Sequence, residues 1–198
     1  IGGEGEHRYV LMCVVAIEDP GLTVFPTHRL VRGLDDAGRA AALAAAIERD
    51  FTATEVDRAV AAPHAGSGPL ELGYLDATRA LHLTLRDQRI ADRALAEMPP
   101  AYRRLDTGVL EALLLKGALG LSDDDISHLN GLGYARDADE ARAAVDAGEY
   151  DAAFLLRPTP VEQVREVAAA GVNMPPKSTF FYPKLLTGLL FNPLVEMV

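Results

Sequence analysis

Cysteine is almost missing from this chain. Cys13 is the single example in 198 residues, so no disulfide can close within the chain and no multi-cysteine metal site can form. Because it lies inside the apolar run 10–17, it reads as a buried structural thiol. No apolar stretch reaches the length needed to cross a bilayer, and the start lacks a basic region followed by an apolar core. Membrane association and secretion are therefore not expected, and cytoplasm is the expected location. Basic residues are also scarce, with 19 Lys and Arg against 29 Asp and Glu for a formal net charge of −10. That balance argues against a surface built to neutralise the phosphates of a nucleic acid, while leaving room for one small basic pocket. There is no Gly-x-Ser-x-Gly elbow, no Gly-x-x-x-x-Gly-Lys-Ser/Thr loop and no Gly-x-Gly-x-x-Gly after a strand, so the common hydrolase and nucleotide signatures are missing. No zinc or calcium ligand set is spelled out either: Asp123, Asp124 and Asp125 lack the spacing of a calcium loop and, following Ser122, read as a capped helix start.

What is present is a chain that is 49% hydrophobic and 24% charged, long enough for one full core. The pattern predicts an α+β fold, a mixed and largely antiparallel sheet with helices packed on it, in a single domain. The run 9–17 is apolar without alternation and ends at Asp19-Pro20-Gly21, so it is expected as a central strand covered on both faces, antiparallel to a short strand over 22–25. Ala40, Leu43, Ala44 and Ile47 form a helical stripe within 39–49. A strand is expected over 51–56, a loop over 62–69, a hairpin joining 70–75 to 80–85, and a helix over 87–97. A broad apolar stripe through Tyr102, Leu105, Val109 and Leu113 predicts one helix ending near Gly120. His82, alternating with leucines, reads as an outward strand histidine. Asp137 with Glu140 caps a helix stopped by Gly148, and 152–156 is a short buried strand. Thr159 and Glu162 have capping-box spacing with Pro160 at the first helical position, in a helix stopped by Gly171. The chain opens on Ile, and residues 1–8 read as a disordered lead in one part of a longer protein.

The candidate chemistry gathers near the end. Residues 171–185 hold Lys177, Ser178, Thr179, Tyr182 and Lys184 on a segment that prolines and aromatics keep from being helical. If 178–185 is a strand, Ser178, Phe180, Tyr182 and Lys184 share one face. These groups suit phosphate or carboxylate, the N–H groups of a helix starting at Thr159 would attract an anion, and Arg157 could add a bidentate fork. The alternative is a solvated loop and an edge strand whose lysines discourage aggregation. His28 and Arg29, at a strand end, form a second cluster: a histidine can exchange protons near neutral pH and an arginine can fix an anionic group. Their alternative is a backbone-satisfied histidine beside an exposed arginine.

Three segments taken together are distinctive: Pro26-Thr27-His28-Arg29-Leu30-Val31, the stretch from Ala153 through Arg157-Pro158-Thr159-Pro160 to Val164, and Met174-Pro175-Pro176-Lys177-Ser178-Thr179-Phe180-Phe181-Tyr182-Pro183-Lys184. They resemble the bacterial and archaeal family catalogued as domain of unknown function 1015, a likeness that Leu105-Asp106, Val109-Leu110 and 137–148 extend over nearly the whole chain. The resemblance implies that residues 1–198 are the C-terminal portion of such a protein, with a missing N-terminal portion related to the ParB/sulfiredoxin superfamily. It further implies a phosphotransferase acting on a small molecule of the free serine type, using pyrophosphate or a nucleotide, with magnesium. His28, Arg29 and Lys177 would then be catalytic, and Arg157, Thr159, Ser178, Thr179, Tyr182 and Lys184 would hold substrate or phosphate. A small anionic metabolite would be the partner. The rival is a non-catalytic module that binds an anionic metabolite and regulates a partner. The chain departs from the family pattern at Glu111, where a histidine is usual, and at Pro176, where a glutamine is usual.

Overall fold

A computed structural model of the chain describes residues 5, 8–63, 68–186, 188, 191 and 192. It divides into two compact units, Val24–Phe180 and a smaller one made of Ile1–Thr23 with Phe181–Val198. In chain order the elements are β1 (Thr23–Phe25), β2 (His28–Val31), α1 (Ala37–Asp50), β3 (Phe51–Val56), β4 (Glu71–Asp76), β5 (Ala80–Leu85), α2 (Gln88–Ala94), α3 (Asp106–Leu110), α4 (Asp123–His128), β6 (Leu132–Ala135), α5 (Ala138–Asp146), β7 (Ala152–Leu155), α6 (Val161–Ala169) and β8 (Phe180–Tyr182).

The larger unit is built on a six-stranded sheet in the order β3-β5-β4-β7-β2-β6, every neighbouring pair antiparallel. The α+β expectation therefore holds, in a purely antiparallel form. β7 lies near the middle, and its four apolar residues are buried on both faces, as a run without alternation requires. Its pleat sends Phe154 into a core shared with Val31, Leu43, Phe51, Leu72, Leu110 and Leu114. Ala153 and Leu155 go to the opposite face, against Leu30, Leu75, Ala141 and Val145. Helix α1 starts because the Asp36 carboxylate accepts from the Gly38 and Arg39 N–H groups at 2.8 and 3.0 Å. It buries Leu43, Ala46, Ile47 and Asp50, the spacing of one helical face. A separate two-stranded sheet is formed by β1 and β8, in which the Phe25 and Phe180 rings lie 6.2 Å apart.

Several sequence expectations need correction. Residues 9–16 form no strand, and Tyr9, Val10, Leu11, Met12 and Val14 are exposed, as is Cys13. An apolar run becomes a strand only when a neighbouring strand takes up its backbone groups, and none of the described strands does so. β1 accordingly pairs with β8 instead of with that run. The expected disordered lead lies mostly outside the described residues. The single helix expected through Tyr102 and Leu113 is broken into a 3₁₀ turn (Tyr102–Arg104), α3, and a π-helical turn (Glu111–Lys116). The wider turn brings Glu111 and Lys116, five residues apart, into an ion pair of 2.9 Å. The strand expected over 178–185 shortens to β8, leaving Ser178, Thr179 and Lys184 outside it. The hairpin and β3 stand where expected. His82 is settled by the Val60 carbonyl at 3.1 Å.

Gly73 in β4 is required by contact. A Cβ added there would lie 2.1 Å from the Ala61 carbonyl oxygen, so Gly73→Ala must push backbone aside. It is expected to lower stability by about 2 kcal/mol, read as a lower urea midpoint at unchanged slope. A variant as stable as the parent would show that the Ala61 segment yields freely.

Candidate functional site

The N-terminal end of β2 and the C-terminal end of β7 lie side by side, with Arg29 opposite Phe154, and the candidate residues of three distant segments meet there. His28 sits on the sheet face of α5 and is 3% exposed. Its Nδ1 accepts the Leu156 N–H at 3.1 Å, which fixes the proton on Nε2 when the ring is neutral. Burial lowers the His28 pKa to about 4; Arg29 pushes the same way, while Asp137 opposes it. The ring is therefore neutral at pH 7, held by backbone rather than poised to exchange protons near neutrality.

Arg29 projects to the other sheet face, as neighbouring strand residues must, and is 4% exposed. Its guanidinium donates to three backbone carbonyls: Thr27 from Nη1, Lys177 from Nη1 at 3.1 Å and Pro176 from Nη2 at 2.7 Å. It also stacks over the Tyr134 ring, 5.1 Å from its centre. Burial lowers its pKa to about 10, with Tyr134 and Glu111 opposing, so it stays charged. Arg29 thus clamps the turn that carries Lys177. The same turn is tied twice more: the Thr159 hydroxyl donates to the Ser178 carbonyl at 2.9 Å, and the Ser178 hydroxyl donates to the Pro175 carbonyl at 2.6 Å. Between these ties Lys177 takes a left-handed backbone with φ 54°, a conformation that persists in a non-glycine residue only when its surroundings impose it. Its side chain is exposed on that fixed base.

Beside the turn, with Thr159 common to both, is a cavity of about 130 Å³ lined by residues that include Gln88, Arg104, Asp106, Arg157, Thr159 and Gln163. Arg157 and Asp106 form a bidentate pair at 2.7 and 2.8 Å, with side chains only 8% and 12% exposed. The bond to Asp106 raises the Arg157 pKa. The fork expected to grip a ligand is thus largely spent: Nε and Nη2 hold Asp106, and Nη1 remains. Arg104, at the rim, makes no ion pair among the described residues. Helix α6 opens onto this cavity through Pro160 and Gln163 and has no side-chain cap. This corrects the expected capping box: Thr159 turns its hydroxyl to the Ser178 carbonyl instead, leaving the first N–H groups of α6 without a side-chain acceptor. Thr179 is half-buried next to the turn. Tyr182 and Lys184 belong to the smaller unit, where both are exposed.

Sequence reasoning missed Arg104, Gln163 and the pairing role of Asp106. Two arginines and an aspartate on separate segments carry no spacing signal, and their meeting is a product of the sheet order. A larger cleft of about 470 Å³, floored by α1, lies at the other end of β4 and β7. Of its acids, Asp76 is already satisfied by Tyr74, Thr78 and Arg79, and Asp151 accepts the Leu34 N–H.

The family described as "Protein of unknown function (DUF1015)" matches residues 1–108. Among solved structures, a conserved hypothetical protein from Pyrococcus furiosus aligns with TM-score 0.50 and 17% identity, covering 85% of this chain and 60% of that one. A free serine kinase in complex with AMP aligns with TM-score 0.49 and 14% identity over 85% of this chain and 57% of that one. A mutant form of a free serine kinase in complex with ADP gives 0.48, 13%, 85% and 57%. The chain therefore spans about 60% of the length of the solved structures it matches, and at these identities the Pyrococcus likeness speaks to the fold. No curated protein matches the chain.

Proposed function

The chain belongs to the DUF1015 family of proteins of unknown function, and from that premise we propose that it supplies the phosphate-holding part of a small-molecule phosphotransferase acting on a hydroxyl of the free serine type. The observation that carries this reading is the junction of two anion-attracting features at one wall. The uncapped first turn of α6 faces the cavity that Arg104 and Arg157 line, and Lys177 is held on a rigid turn bonded to Thr159 of that cavity. Phosphoryl transfer needs positive charge placed before charge builds on the transferring oxygens. Arg104, Arg157 Nη1, Lys177 and the α6 N–H groups are the donors assigned to that task. Thr159 and Ser178 keep the Lys177 turn in place, and His28 and Arg29 act through the backbone they hold. Thr179 remains assigned to the substrate side. The donor is pyrophosphate or a nucleotide. Among the described residues no group of three or more histidines, cysteines or carboxylates could hold a metal; the magnesium implied by the resemblance would be carried chiefly by the phosphates of the donor.

In the intact protein, Lys177→Ala is expected to lower phosphoserine formation about a hundredfold with the fold retained, the usual cost of losing one transition-state donor. Unaltered turnover in that variant removes Lys177 from the role. A second reading is favoured by one observation: His28, the histidine at this wall, has a pKa of about 4, far from the range of a base working near neutrality. On that reading the wall binds an anionic metabolite without turnover. Saturable binding of pyrophosphate or ADP with no consumption of donor would select it.

A further inference from the structure

The π-helical turn Glu111–Lys116 has no part in the phosphate reading, and it opens on a cleft of its own. On an α-helix, positions five apart point about 140° away from each other. The wider turn removes that separation and sets the Lys116 ammonium 2.9 Å from the Glu111 carboxylate. The same ammonium donates to Asp123 at 2.6 Å. Turns of this kind are rare and recur at functional sites. The Glu111 side chain is 17% exposed, so the turn presents a carboxylate and an ammonium side by side within a recess.

The cleft measures about 450 Å³, within the range of small-molecule sites. Its lining divides by chemistry, with Leu95 and Met98 apolar and Tyr102, Glu111, Lys116 and Asp123 polar. Tyr102 is a second, independent sign of a ligand. It is 9% exposed, and its ring is held by Leu105 and Val167 and by Gly108, where an added Cβ would lie 2.9 Å from the ring. Its hydroxyl nevertheless makes no hydrogen bond among the described residues. Burial raises the Tyr102 pKa, and Glu111, Lys116 and Asp123 all act on it, so a protonated phenol fixed in place faces the charged side of the cleft.

We propose that this cleft binds a free α-amino acid with a large apolar side chain. The ligand carboxylate takes Lys116 Nζ and the Tyr102 hydroxyl, its ammonium takes Glu111, and its side chain lies on Leu95 and Met98. The two charges of such a zwitterion sit on groups one carbon apart, so it can lie antiparallel to the Glu111–Lys116 pair with each charge against its opposite. The exchange is cheap, because a partly solvated ion pair holds its members weakly and Asp123 keeps its grip on Lys116. A simple cation leaves the Tyr102 hydroxyl unanswered, and a simple anion lies against Glu111 with nothing to offer it. The cleft shares no lining residue with the cavity of Arg104 and Arg157, so this proposal and the phosphate reading stand or fall separately.

Isothermal titration of the protein with L-leucine tests it. Saturable binding is expected, with isopentylamine, which lacks the carboxylate, and 4-methylpentanoate, which lacks the ammonium, each at least about tenfold weaker. Glu111→Gln should weaken L-leucine about tenfold and Tyr102→Phe about fivefold, with the melting temperature of Tyr102→Phe close to that of the parent. Saturating pyrophosphate should leave L-leucine binding unchanged. No saturation at millimolar L-leucine, isopentylamine binding as tightly as L-leucine, parent affinity in either variant, or displacement by pyrophosphate would each overturn the proposal.

Discussion

Arg157→Ala is expected to cost about 3–5 kcal/mol of stability, because it strands a carboxylate inside the protein. Asp106 and Arg157 hold each other through two bonds of 2.7 and 2.8 Å, in a place where both side chains are nearly shut off from water. Burial already raises the Asp106 pKa above the ordinary aspartate range despite the arginine. With the guanidinium gone, the carboxyl must take up a proton or remain as an unpaired buried charge, and either outcome is costly. The pair itself is a different matter: replacing both partners, as in Arg157→Met with Asp106→Leu, is expected to recover most of the loss, since two desolvated ions roughly offset their own attraction. The measurement is a urea midpoint for the parent, both single variants and the double variant. A coupling energy near zero across that cycle would show that the two groups do not depend on each other. The same experiment bears on function. A neutral pair cannot be the main attraction for phosphate, so the double variant should weaken anion binding far less than Lys177→Ala does.

Much of the architecture was legible because local rules and tertiary demand agreed. β3, the β4–β5 hairpin, α1 after Asp36, α4 after Ser122 and α5 after Asp137 all follow from caps, period and turn residues, and each stands within a residue or two of expectation. The run 9–17 was misjudged for a physical reason. An apolar sequence states that it needs cover on both faces, and it cannot state whether the cover lies in the same described fold. Glu111–Lys116 failed differently. Periodicity detects an apolar stripe but not a change in turn width, and π geometry leaves Leu113, Leu114 and Leu115 as buried as an α-helix would. At the candidate site, Arg29 reaches the carbonyls of Pro176 and Lys177, and His28 accepts the Leu156 N–H just before Arg157. Their side-chain tasks were less readable. Arg29 and Arg157 were expected to meet a ligand, whereas one binds carbonyls and the other an aspartate. A buried cation takes whatever acceptor the fold places beside it, and that choice depends on residues far away in sequence.

His28 gives the second large effect, and its sign follows from linkage. A histidine with an ordinary pKa of 6.5 in the unfolded chain and about 4 in the folded one binds more protons when unfolded anywhere between those values, so stability rises with pH there. Its contribution is fully present above pH 6.5, declines as pH falls through the window, and is gone below about 4. The difference between the two pKa values corresponds to about 3 kcal/mol. Protonation would also turn Nδ1 from acceptor to donor and set it against the Leu156 N–H, now 3.1 Å away, which loosens the end of β7 just before Arg157. His28→Asn keeps an acceptor near the Nδ1 position and cannot titrate. Carboxylates also titrate in this range, so the quantity to read is the difference between the urea-derived stabilities of parent and variant from about pH 7 to about pH 4. The parent is expected to lose about 3 kcal/mol more than the Asn variant over that interval. Parallel curves would mean that the ring reaches water in the folded state, and the wall that carries Arg157 would then not depend on its neutrality.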